Sequence, residues 1–219
     1  MPPKPKYTKD EIITAAYEIA RERGIDAVVA REVGKKLGTS ATPIFTIWKT
    51  MEELQEEVIV RAWQEFDKVL DAANHYNPPF KMRGFMMVKF AQDEPKIFQL
   101  LFMRERKGVS FRDFMNERIH GIDSDIDIIR RDYGATEEQA RQLFEHVWIH
   151  TYGIAVLCAT NLLHFTDQEI GEMLGQAFMS MIMLIKSGSK AYKVSPAKKG
   201  TPEGEQIMKG YPAIDKGPN

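Results

Sequence analysis

Residues 28–54 read VVAREVGKKLGTSATPIFTIWKTMEEL, and the way this stretch divides decides the fold. Val29, Val33 and Leu37 recur every four residues, which predicts a short helix with one buried stripe, too short to be stable alone. Gly34 removes a side chain where a crossing helix needs to come close. Gly38 supplies a residue that tolerates positive φ just past the helix end, so the chain turns sharply there.

A second short helix restarts at once. Ser40 or Thr42 is expected to cap it, and Pro43 suits its first turn because the donor it lacks would have no partner there. Ile44, Ile47 and Trp48 are expected to point inward, leaving Ala41, Thr42, Thr46 and Lys49 on the outer side. A helix of about two turns is a poor core element, but with small polar side chains on a rigid support it fits a DNA major groove. This is the helix-turn-helix arrangement.

Upstream, Thr8 and Glu11 form a capping box for a first helix, in which Ile12, Ile13, Ala16, Ile19 and Ala20 make an apolar face and Gly24 the stop. Together these segments resemble the N-terminal domain of the TetR family of transcriptional regulators. The matching positions are Ala15 and Ala16, Gly24, Arg31-Glu32-Val33, Gly38, Ser40, Ile44-Phe45, Trp48 and Glu52-Glu53-Leu54. Phe45, Met51 and Ile47 stand where the family commonly has a tyrosine, a lysine, and an aromatic or histidine. The expected result is fewer DNA-backbone contacts on an unchanged fold. The resemblance implies an operator-binding regulator in which Ala41, Thr42 and Thr46 read bases while Ser40, Trp48 and Lys49 position the helix on the backbone. It also implies that the last two long helices form a four-helix interface in a homodimer.

Charge is distributed to suit this. Residues 1–50 carry nine Lys/Arg against six Asp/Glu, a balance of +3; residues 51–186 carry fifteen against twenty-two, a balance of −7; residues 187–219 carry six against three. A basic head on an acidic body follows, although the whole chain has a net charge of −1. Residues 1–7, MPPKPKY, form a proline-rich basic arm, open equally to a DNA contact and to a solvated tail. With 43% hydrophobic residues and no twenty-residue apolar run, the chain reads as a soluble, cytoplasmic protein with no membrane partner. Neither is a signal peptide evident.

The fold class expected is all-α: a three-helix head with its basic arm over residues 1–50, a larger helical effector-binding and dimerisation domain over residues 51–186, and a disordered tail over residues 187–219. A long helix from Met51 to about His75, with Leu54, Val58, Arg61 or Ala62, Glu65 or Phe66, and Val69 as its stripe, is the expected lever between head and body. Asn77-Pro78-Pro79 ends it. Helices are then expected at about 80–92, from Pro95, over 110–119, up to Tyr133, from Thr136 to about Phe165, and from Thr166 to Lys186. The last two are apolar over more than one stripe, with Gly171, Gly175 and Ser180 as positions of close helix approach.

Clustered phenylalanine and methionine residues either fill the core or wall an adaptable apolar cavity. Phe85, Met86, Phe90, Phe102, Met103 and Phe114, with Trp148 and His150, are the expected ligand contacts for a small apolar effector, Trp148, His150 and Tyr152 offering polar handles. Asp123, Asp125 and Asp127 do not make a calcium loop, because Ile128 occupies the position that needs glycine. His146 and His150 have zinc-like spacing, but Val147 replaces the catalytic glutamate and no third ligand is evident. No metal, cofactor or enzymatic activity is expected; Cys158, the one cysteine, sits in an apolar helix. The function expected is a ligand-responsive repressor, the alternative being a helical ligand-binding or scaffold protein with a vestigial DNA-binding head.

Overall fold

The computed structural model describes residues 7–105, 107–118 and 121–188. Residues 1–6 of the arm, and the tail beyond residue 188, lie outside the described residues. Within them there are ten α-helices and no strand.

Helix α1 (Lys9–Arg23) begins with the expected capping box: Thr8 Oγ1 accepts from the Glu11 backbone N–H, and the Glu11 carboxylate accepts from that of Thr8 at 2.7 Å. It ends at Gly24, φ 88°. Helices α2 (Ala30–Lys36) and α3 (Thr42–Ile47) complete the head. Two expected anchors are not buried. Val29 precedes α2 as its cap and is 43% exposed, and Ile47, the last residue of α3, is 39% exposed. Val28 takes the place expected of Val29 and is fully buried. The extended backbone at position 29 swaps the side that successive side chains face, so a four-residue spacing measured from inside the helix fails one residue before it starts.

Helix α4 (Met51–Asp71), capped by Thr50, continues as a tight 3-10 turn over Ala72–His75, as expected of the lever. Leu54, Val58, Ala62 and Phe66 are fully buried along it. The body follows as α5 (Pro79–Asp93), α6 (Pro95–Phe102), α7 (Phe111–Arg118), α8 (Ile122–Tyr133), α9 (Glu137–Ala159) and α10 (Asp167–Lys186). Pro79 and Pro95 sit in first turns, where no backbone donor is missed. Helix α5 lies against α4, α9 and α10, and α9 also against α8. One continuous core runs from Ile12, Ile44 and Trp48 through the α4 stripe to Phe98, Leu101 and Ala155, so head and body share their packing. A second core joins α8, α9 and α10 through Ile129, Leu143 and Ile182.

Helix α9 stops at Ala159, six residues short of the expected Phe165. Asn161 takes a left-handed conformation, φ 56°, and the N–H groups of Leu162 and Leu163 both turn back to the Leu157 carbonyl. Gln99 Nε2 then donates to the Ala159 carbonyl at 2.5 Å, so a body glutamine satisfies an acceptor that the helix end leaves open. The neighbouring Cys158 is fully buried, and burial pushes its thiol up in pKa. Thr136 and Thr166 cap α9 and α10 with full capping boxes, through Gln139 and Glu169.

Candidate nucleic-acid interface and ligand cavity

The turn between α2 and α3 is held by a missing side chain. A Cβ on Gly34 would lie 3.0 Å from the Ser40 carbonyl carbon and oxygen and from the Thr39 carbonyl oxygen. The close neighbour is therefore the backbone of the turn, not the crossing helix expected. Gly38, φ 67°, makes the turn itself with open space around it. Neither Ser40 nor Thr42 is the cap residue: that position is Ala41, and Ser40 Oγ reaches the Thr42 backbone N–H at 3.4 Å.

Ile44 is fully buried beneath α3, and Trp48, just past its end, is 5% exposed. Trp48 shares the core with Ile44, and its ring lies 5.9 Å from Lys9 Nζ. Ser40, Thr42, Phe45, Thr46 and Lys49 are exposed and Ala41 is half-buried. The Thr46 hydroxyl donates to the Thr42 carbonyl at 3.0 Å, and the Lys49 backbone N–H donates to Glu53 Oε2 at 2.8 Å. Among the described residues, Arg31, Lys35 and Lys49 of the head make no ion pair, whereas Lys36 is held by Glu18 and Glu22, and Arg23 by Glu32. Arg31 and Lys35 are exposed cations that the reading by motif did not select.

Residues 12–58 match the family model described as bacterial regulatory proteins, tetR family. Over these residues the head is similar to the tetR-family regulators. No curated protein and no solved structure matches it significantly. The matched residues include all of α2 and α3. No helix among the described residues is long and apolar enough to cross a membrane.

In the body, α4, α5, α8, α9 and α10 leave a cavity of about 170 Å³. Its walls include Phe66 and Leu70 of α4, Phe80 and Met87 of α5, Phe144 and Trp148 of α9, and Leu174 and Phe178 of α10. Three charged side chains also line it: Lys81, Arg83 and Asp125. Arg83 Nη1 donates to Asp125 Oδ1, and its Nη2 donates to Asn74 Oδ1 at 2.6 Å. Burial raises the Asp125 pKa above the ordinary carboxylate value, and the Arg83 hydrogen bond works against that rise.

Of the ligand contacts expected from sequence, Trp148 alone lines this cavity. Phe102, Phe114 and Trp148 meet Tyr152 around a more open hollow of about 230 Å³, where Tyr152 stacks on Trp148 at 5.2 Å and donates to the Phe102 carbonyl. Phe85 borders a third hollow with Tyr76 and Gly171. Phe90 is core, packed edge-on to Phe66, and Met103 is exposed past the end of α6. Met86 is half-buried and borders none of these three spaces, and the same is true of His150, whose Nε2 is buried without a hydrogen-bond partner. Among the described residues no group of three metal-ligating side chains converges.

Proposed function

We propose that this regulator is a homodimeric repressor released from its operator by a small, largely apolar effector bound in the body cavity. One observation carries the reading: Phe66 and Leu70 of α4 line the cavity, while Leu54 and Val58 of the same helix belong to the core shared with Ile44 and Trp48 of the head. An occupant that presses on Phe66 tilts the helix whose first half shares a core with the head. Two heads on a two-fold dimer read half-sites one turn of DNA apart, so a tilt changes their spacing and lowers operator affinity. By linkage, operator DNA then weakens the effector by the same factor.

The dimer reading draws on apolar exposure at the end of the chain. Ile149 on α9, Met179, Met183 and Leu184 on α10, and Leu162 and Leu163 between them are each at least 45% exposed. Gly171 and Gly175 have open space where a Cβ would stand, so within one protomer they serve no close approach. A second copy laid across α9 and α10 would cover these residues. Base reading falls to Ala41, Thr42 and Thr46, and phosphate contact to Ser40 and Lys49.

The experiment is an operator-shift titration on DNA from the chain's own promoter, at salt concentrations from about 50 to about 200 mM. Specific binding that weakens steeply with salt and is reduced by Thr46→Ala and Lys49→Ala is expected. Unchanged binding in both variants would sink the assignment of this surface.

A further inference from the structure

We propose that the effector is a monoanion, a carboxylate on a single aromatic ring, and that Arg83 binds its carboxylate. The inference rests on the reading of the body cavity as the effector site. The space is about 170 Å³, the scale of the empty apolar cavities of about 150 Å³ that accept benzene. Phe80, Phe144, Trp148 and Phe178 give it aromatic walls. Arg83 and Asp125 pair in its wall and Lys81, exposed to solvent, adds a second cation at its edge, so the site favours an occupant bearing one negative charge over one bearing a positive charge.

A guanidinium has donors only, so the group that meets Arg83 must bring acceptors, and a carboxylate brings two in matching geometry. Arg83 is already oriented for this. Asp125 holds one edge, Asn74 the other, and Gly121 leaves room: a Cβ there would lie 3.2 Å from Nη1. Its two partners are not equal. Asp125 is charged and 2% exposed, whereas Asn74 is neutral and exposed. A carboxylate in the cavity therefore competes with Asn74, which stands outside the cavity wall, for the Arg83 guanidinium, because a charged acceptor makes the stronger bond. Asn74 belongs to the turn Ala72–His75 that extends α4. Taking its partner frees the body end of the helix that bears the head.

The test is calorimetric titration of the full chain with benzoate, benzyl alcohol and benzylamine near neutral pH, with operator binding followed in parallel. Benzoate is expected to bind at least tenfold more tightly than the other two. The double variant Arg83→Gln with Asp125→Asn keeps a neutral hydrogen-bonded pair and should lose that preference while still taking benzyl alcohol. Asn74→Ala alters an exposed side chain and should leave benzoate binding unchanged or tighter. Benzyl alcohol or benzylamine binding as well as benzoate, or benzoate preference surviving in the double variant, overturns the proposal while the cavity remains a ligand site. If none of the three binds, the cavity is no effector site and both readings fall. If benzoate binds selectively and operator affinity does not change, the proposed ligand chemistry holds and the effector reading fails.

Discussion

Arg21 on α1 grips Glu94 at the junction of α5 and α6 with two guanidinium nitrogens, Nε to Oε2 at 2.6 Å and Nη2 to Oε1. The pair joins head to body along a route independent of α4, beside direct packing of α1 on α6. A motion that starts in the body can therefore reach the head twice. Arg21 is more than half exposed, so water screens the pair and its loss costs at most about 1 kcal/mol of stability. For Arg21→Met we expect a thermal midpoint within a few degrees of the parent, about the shift 1 kcal/mol gives, with a smaller effect of ligand on operator affinity. Equal ligand response in parent and variant would show that α4 carries the coupling alone.

Lys49 and Thr46 should fail in different ways. Lys49→Ala removes an exposed cation, so operator and random DNA should both weaken, and the slope of log affinity against log salt should fall by about one. Thr46→Ala removes a small side chain from the outer face of α3, so loss should concentrate on particular base pairs, on the order of 1 kcal/mol each. Binding to a panel of single-base operator variants separates the two.

Gly34 and Gly38 are both turn glycines, required for different reasons. Gly34→Ala drives a methyl group into the backbone at Thr39 and Ser40, an overpacking of roughly 1–3 kcal/mol that shifts the seat of α3. Gly38→Ala meets nothing and costs only the left-handed backbone, roughly 1–2 kcal/mol. Both should lower the thermal midpoint, but Gly34→Ala alone should lose operator affinity measured well below it.

Met183→Glu and Leu184→Glu place a charge on side chains that are 63% and 58% exposed in a single protomer. Neither should lower helicity by circular dichroism. Both should halve the sedimenting mass if α10 forms the subunit interface, and an unchanged mass would remove that face from consideration.

The helix-start carboxylates contribute to the loss of stability in acid. Backbone hydrogen bonds from the Thr8 and Thr166 N–H groups hold Glu11 and Glu169 below the ordinary glutamate pKa. The unfolded chain therefore takes up their protons first as pH falls, and the stability they give is present above about pH 4.5 and lost below it. Asp125 has the opposite sign, because burial raises its pKa and stability falls as pH rises through that value. Glu169→Gln keeps the capping box without the charge, so denaturant midpoints between about pH 5 and pH 3 should fall less steeply than in the parent.

The helices were legible because their signals are local: Thr8, Thr136 and Thr166 each carry their capping partner three residues on, and Gly38 marks its own turn. The cavity was not, because it lies where five helices fail to meet, and no single segment encodes a gap. By residue type, α5 offers Phe85, Met86 and Phe90 as contacts. The wall is made by Phe80, Arg83, Gly84 and Met87, one helical face by period. The usable signal was Arg83, a charge at a period-matched position between apolar neighbours. Asp125 stands in the first turn of α8, with its partner 42 positions away in the chain.

Cys158 gives the molecule a clock of its own. As the single thiol in the chain, wholly enclosed near the end of α9 and disfavoured as a thiolate, it reacts with a labelling reagent only when the surrounding helices part. Its labelling rate thus counts openings of the body, and a tight occupant of the cavity should slow that count without a dye being built in.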